Sequence, residues 1–309
     1  MMRLALALCV AAAMLAPLAL AGDFVLHLGV MIAIMSVLAL SMNLMLRIGQ
    51  LSFAQAAFMG IGAYTSALLV MRTAIPSSLA FFLGGLVPAV IALSLGRIFL
   101  RIRGVYFVLL TFAFSQVVNF IFQEGVSLFG GNNGLGSIPK FKVLGWQIAS
   151  LRSQYICSLL LVSTAYWGVR CLLRSRIGVV LSALDQNENL GRSLGLDAMR
   201  WRICIFSLSA FLAGLAGGFY AFYVGFLAPS TFSFSLSVDV LVMNVIGGTS
   251  IPLGPLFGAL ILVPLPELLR DAKQYQFLIY AAILSGSLLL FEDGLLDCLL
   301  RQIRRARST

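Results

Sequence analysis

Charge is what this sequence has least of. Only 10% of its 309 residues are Asp, Glu, Lys or Arg, against about 25% in an ordinary soluble domain. With 61% hydrophobic residues and a mean hydropathy of +1.02, a soluble globule is excluded and a multi-pass membrane protein is the class left. Histidine occurs once, at His27, and the cysteines Cys9, Cys157, Cys171, Cys204 and Cys298 form no CxxC or Cys/His group. A disulfide framework and a thiolate–imidazole metal site are thereby excluded. There is no G-x-x-x-x-G-K-[ST] loop, so the chain does not hold ATP in that way. No Ser/His/Asp or Cys/His set stands out, and an enzyme is not expected. The 11 acids all fall in loops or near the ends of apolar runs, Asp239 and Glu267 included. A proton-coupled carrier needs an ionisable relay inside the membrane, and none is evident here.

What is present is a series of apolar runs. Residues 24–46, 51–71, 77–99, 104–122, 154–173 and 203–227 each have about the length that crosses a bilayer. Runs 237–246, 256–269 and 277–291 are shorter, and 237–269 reads either as two short crossings or as a re-entrant hairpin. Residues 1–21 read as a first helix or as a signal-like segment ending in Ala19-Leu20-Ala21. The expectation is an all-α polytopic membrane protein of about 8–10 transmembrane helices, forming a single transmembrane domain over 1–309. The net charge of +10 does not point to nucleic acid, because the cations sit at the ends of apolar runs rather than on one face. With the N-terminus inside and ten crossings, the outer set is Arg72, Lys140, Lys142, Arg152, Arg270 and Lys273, and the other fifteen of the 21 Lys and Arg residues lie inside. That bias places the loop 174–202 and the basic tail 297–309 in the cytosol.

The loop 174–202 is the longest stretch that is both polar and basic. Ser182 followed by Asp185 is a capping signal, and Gly195 is a stop signal, so a short helix is expected over Ala183–Leu194. A helix of about three turns does not hold itself in water and must pack on its own membrane helices, on a partner, or on both. Elsewhere, Ala210, Gly214 and Gly218, and beside them Ala213, Gly217, Ala221 and Gly225, form two small faces that allow close helix packing. Thr111, Ser115 and Asn119 form a polar stripe at four-residue spacing, with Gln116 beside it. Such a face turns to protein or water rather than lipid, and pore lining and interhelical bonding both satisfy it. Glycine breaks at Gly49 and at Gly247–Gly248 precede loosely similar small-residue runs.

Six stretches occur in one order: LNLMLRIGQLSFAQAAFMGIGAY around Asn43–Tyr64, RGVYFVLLTFAFSQ at Arg103–Gln116, GGNNGL at Gly130–Leu135, SALDQNENLGRSLGLD at Ser182–Asp197, SAFLAGLAGGFYAFYVGFLAP at Ser209–Pro229 and IGGTSIPLGPLFGA at Ile246–Ala259. Together they resemble the LivM-type permeases, the membrane subunits of ABC importers for branched-chain amino acids. The resemblance implies a multi-pass protein of the bacterial inner membrane that has no cofactor of its own. It also implies a second homologous permease subunit, two cytosolic ATP-binding subunits and a periplasmic substrate-binding protein as partners, with membrane lipid around them. The loop would then couple to the ATPase through Gly178, Ala183, Leu184, Asp185, Gln186, Asn187, Glu188, Leu190, Gly191, Leu194 and Gly195. Gln55, Thr111, Ser115, Asn119, Gly247 and Gly248 are the expected translocation path. Gln55 stands where many relatives carry His and Asn132 where Ser is common, which bears on the substrate; relatives also carry urea, amides and other amino acids. The reading from a different class is a self-contained carrier or channel for a small neutral solute.

Overall fold

Helices make up most of the described chain. The computed structural model describes residues 22–73, 75–143, 146–148, 150–178, 180, 197–249 and 251–269. Its main helices are α1 (Asp23–Leu46), α2 (Gln55–Thr73), α3 (Ser77–Phe99), α4 (Val105–Glu124), α5 (Leu151–Arg174), α6 (Ala198–Val224), α7 (Phe234–Gly247) and α8 (Gly254–Leu262). Among the described residues, α1, α3, α4, α5 and α6 are each long and apolar enough to span a bilayer, so the protein is an all-α polytopic membrane protein. A two-residue antiparallel pair, Lys142–Val143 with Trp146–Gln147, is the only ladder among the described residues.

The helix ends follow local chemistry. Asp197 starts α6 by accepting from the backbone N–H groups of Met199 and Arg200 at 3.2 and 3.3 Å, satisfying two otherwise orphaned donors. Gly225 stops α6 in the left-handed region, with φ 74°. Leu227 then pairs with Leu135 in both directions, at 2.8 and 2.9 Å, which pins the glycine-rich stretch 130–136 over that end.

α1 is apolar on every side, and a helix of that kind belongs in a core. It is buried from Leu26 to Met45 along most of its length and packs on α5, α6, α7 and α8. α6 is the second axial helix, lying against α1, α2 and α3. Its small faces do what close packing requires. A methyl on Gly217 would overlap the Met59 carbonyl, and one on Gly62 would overlap the Gly214 backbone. Backbone thus meets backbone where α2, α3 and α6 cross. By contrast α4 and α5 each bury one narrow stripe: Phe107, Thr111, Ser115, Val118 and Phe122 on α4, and Gln154, Tyr155, Ser158, Val162, Ala165 and Val169 on α5. Their other sides expose Leu109, Val117, Phe120, Leu160 and Trp167. Such a surface suits hydrocarbon.

One end of the bundle is basic. Arg47 closes α1 beside Arg170 and Arg174 of α5, while Gly96 at the end of α3 lies against Ile203 and Phe206 near the start of α6. α7 runs to this same end, where Asn244 meets α1 at Ala39, and α8 runs back beside it, with Gly258 against Met243. The stretch 237–269 is therefore a hairpin of two helices of 14 and 9 residues, turning at the basic end. Each is shorter than the ~20 residues a full crossing takes.

Candidate functional site

The polar side chains of the core gather where helices are interrupted. The first interruption is the connector 47–54 between α1 and α2, with Gly49 at φ 70°. Irregular backbone below a membrane surface must find partners in the protein, and here two other helices supply them. The Phe53 N–H donates to Thr111 Oγ1 of α4 at 3.1 Å, and the Phe53 carbonyl accepts from Ser237 Oγ of α7 at 2.9 Å. Ser237 Oγ also accepts from the Ala56 N–H at 3.1 Å, capping the first turn of α2. Thr111 lies six residues into α4, so this connector sits ~9 Å along that helix from its basic end.

Gln55 opens α2 and is completely buried. Its Oε1 accepts from Ser41 Oγ of α1 at 2.9 Å and its Nε2 donates to Ser209 Oγ of α6 at 3.0 Å. Ser209 Oγ in turn donates to the Ser41 carbonyl at 2.8 Å. One amide therefore ties three helices through neutral groups.

The second interruption is 248–253, with Gly248 at φ 92°. Asn43 Nδ2 donates to Asn244 Oδ1 and to the Thr249 carbonyl, both at 3.2 Å, and Asn43 Oδ1 accepts from Arg47 Nε at 2.8 Å. Asn244 Nδ2 donates to the Ala39 and Val240 carbonyls at 3.0 and 2.9 Å. Both buried amides thus use donors and acceptor alike, as buried amides must. Gly247 has to be glycine: a methyl there would overlap the Gly254 carbonyl.

The polar stripe of α4 falls on its buried face. Thr111 binds Phe53 and also donates to the Val108 carbonyl at 2.9 Å. Asn119 Nδ2 donates to the carbonyls of Pro229 and Phe232 at 2.7 and 3.4 Å, while its Oδ1 accepts from Gln123 Nε2 at 2.6 Å. Ser115 Oγ lies between them, buried and without a hydrogen-bond partner among the described residues. Gln116 faces outward. Of the residues singled out in the sequence, Gln55, Thr111 and the Gly247–Gly248 break lie along one seam joining the two interruptions. Asn119 lies farther along α4, against the α6–α7 connection. Gly178 follows α5 in a further helical turn, its N–H donating to the Ser175 carbonyl. Ala183, Leu184, Asp185, Gln186, Asn187, Glu188, Leu190, Gly191, Leu194 and Gly195 lie outside the described residues.

Sequence reading passed over Ser41, Asn43, Ser209, Ser237 and Asn244, all buried. The signal was available: an Asn inside an apolar span is costly unless its amide is paired, and Asn43 and Asn244 both sit in such spans. The bonded side chains of the seam are hydroxyls and amides, with the Arg47 guanidinium at its basic end. No group of three His, Cys, Asp or Glu side chains able to hold a metal occurs among the described residues.

A multi-pass helical membrane protein with bonded polar side chains at its helix breaks is the class these observations define. The family model for the permease component of branched-chain amino acid transport systems matches residues 24–291, and the chain belongs to that family. It is 30% identical over 292 residues to the high-affinity branched-chain amino acid transport system permease protein LivM of Salmonella typhimurium, covering 87% of this chain and 69% of that one. Against LivM of Escherichia coli the identity is 29% with the same coverage. A probable branched-chain amino acid transport permease protein, LivH of Methanocaldococcus jannaschii, is 26% identical over 179 residues, 55% of each chain. No solved structure matches this chain significantly.

Proposed function

We propose that this chain is a transmembrane permease subunit of an ABC importer, forming with a second permease subunit the path for branched-chain or related amino acids across the bacterial inner membrane. The family match over 24–291 carries this reading. The sequence supports it from another side, since it offers many membrane helices, no P-loop and no evident intramembrane proton relay. The basic end faces the cytosol, two separate ATPase subunits drive the cycle, and a periplasmic binding protein delivers the substrate. The loop 174–202 couples the two halves of the machine, with the segment Ala183–Leu194 docking in the ATPase. A bulky Gly191→Trp change is expected to leave the protein inserted and assembled but to abolish substrate-stimulated ATP hydrolysis in the reconstituted complex. Stimulation equal to wild type would remove the loop from the coupling route, and failure to co-purify with any ATPase would sink the importer reading itself.

The path runs beside the seam, along Gln55, Thr111, Ser115 and Asn119 and past Gly247–Gly248. An aliphatic amino acid has charged ends and a greasy side chain. It suits a passage of phenylalanines and leucines with a few neutral polar groups and no deep charge to hold it. Thr111 and Asn119 spend their polar atoms on the connectors 50–54 and 228–233, so opening the path means exchanging those bonds. Single cysteines at 111, 115 and 119 are expected to react with small hydrophilic thiol reagents at rates that change when nucleotide traps the ATPase. Inertness at all three, in every state, would move the path elsewhere.

A further inference from the structure

The basic end carries a cleft that lies apart from the proposed path and from the docking segment Ala183–Leu194, at the point where α5 enters the coupling loop. It encloses about 200 Å³ between the ends of α1 and α5 and the turn before α8, and is lined by Arg47, Tyr166, Arg170, Arg174 and the apolar turn Ile251–Leu253. A second hollow, of about 260 Å³, opens on the outer side of α5 and is lined by Trp167, Arg170, Cys171 and Arg174. The same two arginines line both. Arg170 is pre-oriented: its Nη1 donates to Tyr166 Oη at 3.2 Å, and its guanidinium sits 5.9 Å from the centre of that ring. Arg174 is exposed and has no hydrogen-bond or ion-pair partner among the described residues. No described residue in either lining is acidic. Trp167, one turn deeper than Cys171, is 70% exposed, and Gly168 beside it has nothing within 4 Å of where a side chain would begin. Among the described residues nothing covers that part of α5.

We propose that this cleft binds the phosphodiester headgroup of an anionic membrane lipid, with Arg170 and Arg174 on the phosphate and an acyl chain lying along α5 past Trp167. The shape argues for a lipid over a free anion, because the cationic cleft shares Arg170 and Arg174 with a hollow whose other described walls, Trp167 and Cys171, carry no charge. Guanidinium groups bind phosphate through paired N–H donors. Basic pockets between helices at the cytoplasmic surface are suited to anionic headgroups. A simple excess of positive charge at the cytosolic ends would need neither the convergence of two arginines on two hollows nor the Tyr166 brace.

The test uses the full chain purified with its partner subunits, stripped of lipid in neutral detergent. Its thermal unfolding is followed during titration with phosphatidylglycerol, phosphatidylcholine or inorganic phosphate. Phosphatidylglycerol is expected to raise the melting temperature, and the other two are not. The R170Q/R174Q variant should need about thirtyfold more phosphatidylglycerol, the factor for two phosphate-facing arginines. R97Q/R101Q removes the same charge from exposed positions at the same end and should respond as wild type does. Arg174→Gln alone removes no described interaction, so it folds even if the double variant fails, and it should weaken the response about fivefold or more. Equal responses from all variants, or equal weakening by R97Q/R101Q, would reduce the arginines to general surface charge and overturn the proposal. So would an equal shift from inorganic phosphate, which would make the site one for a free anion. Loss of ATPase assembly in R170Q/R174Q with the lipid response intact would assign the arginines to a protein contact and overturn it as well.

Discussion

Gly217→Leu is expected to cost about 3 kcal/mol or more of stability and to remove most of the folded protein from a detergent extract. Overpacking a core usually costs about 1–3 kcal/mol, because side chains and backbone can shift to make room. Here there is little to shift. The neighbours of a side chain at Gly217 are the Met59 carbonyl and the Ala63 amide nitrogen of α2, both within helix backbone. Gly214, one turn away, is pressed in the same manner on Gly84 and Gly85 of α3. Dispersion and close approach are what hold helices together where lipid is as apolar as they are, so parting α2 from α6 forfeits the contacts of both neighbours. Gly168→Leu on α5 is the internal comparison. Nothing lies within 4 Å of its added carbon, and leucine is the better helix former by up to ~1 kcal/mol. Its melting temperature should equal or slightly exceed wild type. Heating followed by fluorescence-detected gel filtration reads both variants, and similar melting of the two would show that the small faces of α6 are not the packing centre.

Much of this architecture was legible. Four apolar runs became helices close to their expected ends, because Gly, Pro and Arg punctuate them at Gly104, Pro76 and Arg174; the run expected from Ile203 begins earlier, at Ala198, because Asp197 caps it inside the stretch read as loop. The stripe on α4 fell on the buried face, since four-residue spacing keeps Thr111, Ser115 and Asn119 on one side. What hydropathy could not convey was which apolar surface meets protein and which meets lipid. α1 and α3 are about equally apolar, yet 61% of one span is buried and 33% of the other, and only the partners decide that. Nor was the start of α2 legible. The run from Leu51 reads as continuous, but the helix begins at Gln55. The preceding backbone is held open by Thr111 and Ser237, 58 and 181 or more residues away, and no local rule can register such partners. The same holds for the Asn43–Asn244 pair, 201 residues apart.

The second large effect is expected at Gln55, and its size should depend on chemistry rather than on volume. The Gln55 amide works as acceptor and donor at once, accepting a hydrogen bond from Ser41 and donating one to Ser209. Neutral histidine offers the same pair of functions on its two ring nitrogens, so Gln55→His should keep the bridge and melt within a few degrees of wild type. Gln55→Leu fills the space but breaks the bridge. The two hydroxyls are not stranded by it, because Ser41 Oγ lies 2.6 Å from the Leu38 carbonyl and Ser209 Oγ 2.8 Å from the Ser41 carbonyl. What is lost is then the interhelical bond itself, about 1 kcal/mol in a membrane protein. Gln55→Glu is the severe case. It replaces the donor facing Ser209 with a second acceptor and puts a carboxylate between two serine hydroxyls in a buried site, at a cost of about 3 kcal/mol. The expected order of melting temperatures is therefore wild type and Gln55→His together, Gln55→Leu below them, and Gln55→Glu lowest by a wide margin. If histidine fell as far as leucine, the amide would not be acting as a two-way bridge. Equal losses for leucine and glutamate would mean that water reaches Gln55 in the folded protein and that the seam is wet.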